Sequence, residues 1–122
     1  MGIHFIHSTA DGKRVIIAVN VKAGKENLMI ATIVNNFPSA QGNKRSVDTP
    51  LRMDILMPKN LSSYYNYTGS ITIPPCFQGA EWIILKDSIT LSQQQINAFK
   101  QRYNNNIRPL QPINGRTVYT TK

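Results

Sequence analysis

The sequence predicts a mainly β domain of the α+β type, a twisted, mostly antiparallel sheet carrying a few short helices. Three observations point there. Four stretches, Ile3–His7, Arg14–Lys22, Tyr64–Ser70 and Glu81–Lys86, alternate in polarity or concentrate Val, Ile and aromatic residues, as strands do. Asp11-Gly12 between the first two is a tight-turn signal that makes them a hairpin. Only two segments, Lys25–Asn36 and Gln93–Tyr103, space their apolar residues for one helical face.

Each element has a local cause. Ile3–His7 alternates and reads as a strand, and Ser8–Lys13 turns the chain back. Arg14–Lys22 is rich in Val and Ile and reads as a buried central strand. In Lys25–Asn36, Leu28, Ile30, Ile33 and Val34 share a face, and Pro38 forces a stop. Ser39–Leu51 is polar and irregular and reads as loop. Met53–Met57, ahead of Pro58, reads as a short strand or extended segment.

In the second half, Tyr64–Ser70 reads as a half-buried strand, and Pro74-Pro75 demands a rigid turn after Ile73. Glu81–Lys86, with Trp82, resumes as a buried strand. Ser92 with Gln95 three residues on forms a capping-box signal for Gln93–Tyr103. Asn104–Pro112 reads as irregular, and Arg116–Thr121 alternates as a closing strand. No internal repeat or domain boundary is evident.

A chain of 122 residues is the size of one ordinary domain. No apolar run has the length of a membrane span. Met1 is followed at once by a strand-like pattern rather than a secretory signal, which reads as a cytoplasmic chain or a piece of something longer. The formal net charge of +8 suits a solvated basic surface or a face for polyanions. No helix-turn-helix, zinc-finger or RNP pattern points to nucleic acid.

Few groups can carry chemistry. His4 and His7 are the only histidines. Three positions apart on a strand they face opposite ways, so together they do not grip one metal ion. Read from the residues, each is a hydrogen-bonded structural histidine. Thr72 stands just before the stiff diproline, which aims its hydroxyl. Cys76 is the single cysteine and reads as a free, partly buried thiol. Neither a nucleophile elbow, a phosphate loop nor a carboxylate pair stands out.

The run Tyr67-Thr68-Gly69-Ser70-Ile71-Thr72-Ile73-Pro74-Pro75-Cys76, with Gly79 and Trp82, resembles the signature Y-x-G-S-L-T-T-P-P-C-x-x-G-V-x-W of the α-class carbonic anhydrases. Ile3–His7 resembles the family's E-L-H-L-V-H strand, and Asp11-Gly12-Lys13 with Val15–Ala18 its D-G-K-x-A-V-V-G strand. Leu85-Lys86-Asp87 resembles L-K-x-P-I, and Asn114-Gly115-Arg116 the closing N-G-R. The resemblance covers nearly the whole chain, but only the C-terminal half of the family's domain. It implies a partial α-carbonic-anhydrase fold, with residues 1–122 forming one partial domain.

That resemblance implies roles. His4 takes the place of one of three zinc ligands, while His7 points away from the metal into the core. The other two ligands, a His-x-His pair, have no counterpart here, and the family's supporting Glu two residues before His4 is replaced by Gly2. Thr72 matches the threonine that orients the attacking oxygen. Ile6, Ile16, Ile71, Ala80 and Trp82 match the apolar wall of the carbon dioxide pocket, and Ile73 makes its floor more apolar. Read singly, each is also an ordinary core residue. Cys76 matches a half-cystine of exported members, which implies an ancestor that was periplasmic or secreted.

The implied activity is zinc-dependent, reversible hydration of carbon dioxide to bicarbonate, with this chain inactive by itself because it lacks the ligand pair. The alternative is a non-catalytic, carbonic-anhydrase-related binding module whose basic surface takes polyanions. Self-association through exposed strand edges, or union with a missing N-terminal half, is expected in either case.

Overall fold

A computed structural model describes residues 1–40, 42–103 and 106–121. Five strands form one sheet in the order β1-β2-β4-β3-β5. They are β1 (Gly2–Ser8), β2 (Arg14–Ala23), β3 (Tyr64–Ser70), β4 (Gln78–Leu91) and β5 (Tyr119–Thr120). Three of the four pairings are antiparallel, and β2 with β4 is parallel, so the sheet is mixed but mostly antiparallel. The helices are α1 (Leu28–Asn35) and α2 (Gln93–Arg102). No helix among the described residues is long and apolar enough to cross a membrane.

The hairpin forms as the turn chemistry requires. Gly12 sits at φ +83°, where an L side chain is strained, and Thr9 N–H donates to Lys13 O at 3.0 Å. The register then places Ile6 opposite Ile16 and His4 opposite Ala18.

The period of two divides the side chains between the sheet's faces. Val19, Val21, Leu85, Ile89 and Leu91 face the helices and bury Met29 and Ile30 of α1 and Ile96 of α2. Ile3 and Phe5 pack against the same cluster. The opposite face carries a smaller core of Ile16, Ala18, Ala80 and Trp82. This second face has no helix layer over it among the described elements and holds the candidate site.

Helix α1 starts at Leu28 rather than Lys25. Asn27 stays extended at φ −110° and ψ 118°, and its Oδ1 accepts from the Met29 and Ile30 N–H groups. The buried Gln95 holds it there, donating to Asn27 O at 2.7 Å and accepting from Asn27 N–H at 3.1 Å. Gln95 Oε1 also accepts from Ser92 N–H, completing the expected capping box of α2.

Three further expectations need correction. Met53–Met57 is neither strand nor extended segment: Met53–Leu56 is a 3₁₀ turn, closed by Met57 N–H to Asp54 O at 3.3 Å and tucking Leu56 into the core. The strand expected at Glu81–Lys86 runs for 14 residues, because Ser88–Leu91 pair with Asn20–Ala23 of β2. The closing strand is only Tyr119–Thr120. Asn114 and Gly115 turn at φ +51° and +73°, so the chain reaches β3 late. Residues 106–112 are irregular as expected, while Asn104 and Asn105 at the start of that stretch lie outside the described residues.

Candidate active-site face

The site is built on the face with no helix layer. Trp82 is its centre: 4% exposed, with its indole N–H donating to Ser70 O at 3.0 Å. Tyr67 lies directly across the β3–β4 ladder, and the two rings stack at 6.2 Å and 10°. Gly69, next on that face of β3, is required by this stack. A Cβ there would lie 2.7 Å from Tyr67 Cε2 and 3.3 Å from Trp82 Cδ1.

His4 approaches Trp82 from the other side. Its ring stands edge-on to the indole, with centroids 5.1 Å apart at 86°. Ala18, opposite His4 on the intervening strand, is short enough to leave that contact open. Desolvation lowers the His4 pKa from its ordinary 6.5 and so favours the neutral imidazole. Gly2 leaves one side of the ring uncovered: a Cβ at position 2 would lie 3.6 Å from His4 Nε2.

Thr72 lies beyond the end of β3, in a loop pinned at its base. Ile71 N–H donates to Phe77 O at 2.9 Å, and Cys76 N–H donates to Ile73 O at 2.9 Å. The Pro74-Pro75 bond within it is cis. Among the described residues, no hydrogen bond fixes the Thr72 hydroxyl. Cys76 is free and half-buried, at φ +60°.

The structure brings some of the singled-out residues together and leaves others apart. Ile16, Ala80 and Trp82 pack as one cluster, with Ile71 half-buried against it. Ile6 and Ile73 lie outside that cluster and are 56% and 63% exposed. Thr72 and Trp82 line one cleft of about 400 Å³. His7 is exposed rather than turned into the core, because it sits one residue from the end of β1, beside the open hairpin turn.

Sequence reasoning passed over one further residue of this cleft, Arg108, and saw Tyr67 and Arg116 only as parts of motifs. Arg108 Nη1 donates to Ser70 Oγ at 2.6 Å and to Ile71 O at 3.0 Å. Arg116 folds back on its own turn, donating to Ile113 O at 2.7 Å and Pro112 O at 2.8 Å. Burial pushes the Tyr67 hydroxyl above its ordinary 10, while the positive charges of Arg116 and Arg108 pull it back. The signal for Arg108 was composition alone: it stands with Arg116 in a proline-rich stretch without acids.

A catalytic zinc ion needs about three protein ligands and an open position. Among the described residues no group of three His, Cys, Asp or Glu side chains converges. His4 is one donor, His7 is exposed further along the strand, and Glu81 instead accepts from Asn66 Nδ2 at 3.0 Å. The donor set described here does not fit zinc, and no chemical step is assigned through one.

The family model described as eukaryotic-type carbonic anhydrase matches residues 6–122. A carbonic anhydrase of Pectobacterium atrosepticum is 37% identical over 116 residues, covering 94% of this chain and 47% of its own length. One from Neisseria gonorrhoeae is 36% identical over 119 residues, covering 97% and 46%. The α-carbonic anhydrase of Thermovibrio ammonificans, solved with sulfanilamide, superposes with a TM-score of 0.90 at 34% identity, covering 96% of this chain and 52% of that one. The chain thus spans about half the length of the relatives it matches.

Proposed function

The chain belongs to the eukaryotic-type carbonic anhydrase family, and from that premise we propose that it supplies part of a carbon dioxide and bicarbonate site completed by another polypeptide segment. The observation that supports this is the single face shared by His4, Trp82, Ile16 and Ala80. His4, itself on the exposed part of β1, offers one imidazole that Trp82 braces edge-on and whose charged form partial desolvation disfavours. Ile16, Ile71, Ala80 and Trp82 form an apolar wall suited to a linear, uncharged gas, with Ile6 and Ile73 at its exposed margin. Thr72 presents a hydroxyl from the diproline loop.

The proposed activity of the completed site is reversible hydration of carbon dioxide to bicarbonate. By itself the chain is proposed to be inactive, because the described residues give zinc one donor where three are needed. Equilibrium dialysis with a zinc chelator tests this. The chain alone should hold no stoichiometric zinc. Mixed with a family N-terminal half carrying a His-x-His pair, it should hold one zinc per complex, lost in His4→Ala. Tight stoichiometric zinc on the chain alone refutes the reading.

A second reading, a non-catalytic binding module for polyanions, draws on the net charge of +8 and on only two ion pairs among the described residues. Retention on immobilised heparin that falls steeply with salt, without any zinc-dependent activity of the complex, favours it.

A further inference from the structure

We propose that the cleft between β3, β4 and the segment carrying Arg108 and Arg116 binds a small aromatic carboxylate. Both guanidiniums line the cleft, and among the described residues neither forms an ion pair with a carboxylate. Both are half-buried, so each has lost hydration that no opposite charge replaces. Their N–H groups are only partly used. Arg108 spends Nη1 on Ser70 and Ile71, and Arg116 spends Nε and Nη2 on its own turn. The remaining donors of two planar forks suit a carboxylate.

The rest of the cleft selects what carries that carboxylate. Its lining includes the stacked pair Tyr67 and Trp82 and the side chains of Ile84 and Val118, so a flat apolar ring gains burial there. An inorganic anion would use the guanidiniums and leave this surface wet. A volume of about 400 Å³ falls in the usual range for small-molecule sites, about 300–1,000 Å³. Both arginines stand near enough to Tyr67 for their positive charge to oppose the upward push of burial on its hydroxyl.

The cleft shares Thr72 and Trp82 with the proposed carbon dioxide site, but carboxylate binding by the arginines needs no zinc, so benzoate binding to the chain alone is read separately from hydration by the completed site. The test is a titration of the chain with benzoate at constant ionic strength. The readout is the emission of Trp82, the only tryptophan. Benzoate should give a saturable change, and the neutral isostere benzamide should bind at least about tenfold more weakly. Arg116→Gln should raise the half-saturation concentration about tenfold, and Arg116→Lys by less. If Arg108→Gln loosens the loop it holds, the Arg116 variants and the benzamide comparison still decide. Equal binding of benzoate and benzamide, unchanged binding in a folded Arg116→Gln, or no saturable change would overturn it.

Discussion

His4 and Trp82 meet edge to face, 5.1 Å between ring centroids, across the β2 strand that separates them in the sheet. One is two residues from the start of β1, and the other lies 78 positions later in β4. The contact ties a candidate ligand to the most buried aromatic of the face, and the water it displaces from one side of the otherwise exposed His4 ring lowers the imidazole pKa.

A pH dependence follows from that contact. The folded pKa of His4 lies below the unfolded 6.5, so the unfolded chain binds more protons between those two values. The contribution of His4 to stability is therefore present above 6.5 and is lost as pH falls through the folded value. NMR titration should place the His4 midpoint below 6.5, and Trp82→Ala should move it back toward that value. A wild-type midpoint at or above 6.5 contradicts the burial argument.

Gly69 should not tolerate a methyl group. In Gly69→Ala the new Cβ would meet Tyr67 Cε2 at 2.7 Å, and that rigid ring is stacked on Trp82. Overpacking of this kind costs about 1–3 kcal/mol. Urea unfolding should show the loss, together with a changed Trp82 emission. A variant as stable as the parent would mean that the stack is loose.

Much of this architecture can be read locally. Asp11-Gly12 forces the hairpin, Ser92 with Gln95 starts α2, and the diproline ends the strand before it. What escapes local reading depends on distant partners. The start of α1 is set by Gln95, 68 positions from Asn27. The extra length of β4 comes from pairing with β2. Leu56 is tucked in by a 3₁₀ turn whose short apolar run looks extended in sequence. For the site, the signature around Thr72 and Trp82 stands out in the sequence. Arg108 is silent, because its place at Ser70 and Ile71 is set only when the C-terminal segment folds over the sheet.

Association is expected at the other side of the molecule. β1 is an edge strand of the sheet, and Ile6 on its outer half is 56% exposed on the face without helices. Open edges next to apolar surface template pairing with another chain. Light scattering should show the average mass rising with concentration, and Ile6→Lys should shift it toward monomer. A monomer at every concentration would show that this edge is self-sufficient.

The central claim is that the chain carries one part of a carbonic anhydrase site and completes it only with a further segment. Stopped-flow hydration of carbon dioxide measures this most directly. Three samples are needed: the chain alone, the chain with a family N-terminal half carrying the His-x-His pair, and that mixture with His4→Ala, all with zinc supplied. The account predicts the buffer rate for the chain alone, a sulfonamide-sensitive rate for the mixture, and loss of that rate in His4→Ala. Sulfonamide-sensitive hydration by the chain alone, or a mixture whose rate is indifferent to His4, would contradict it.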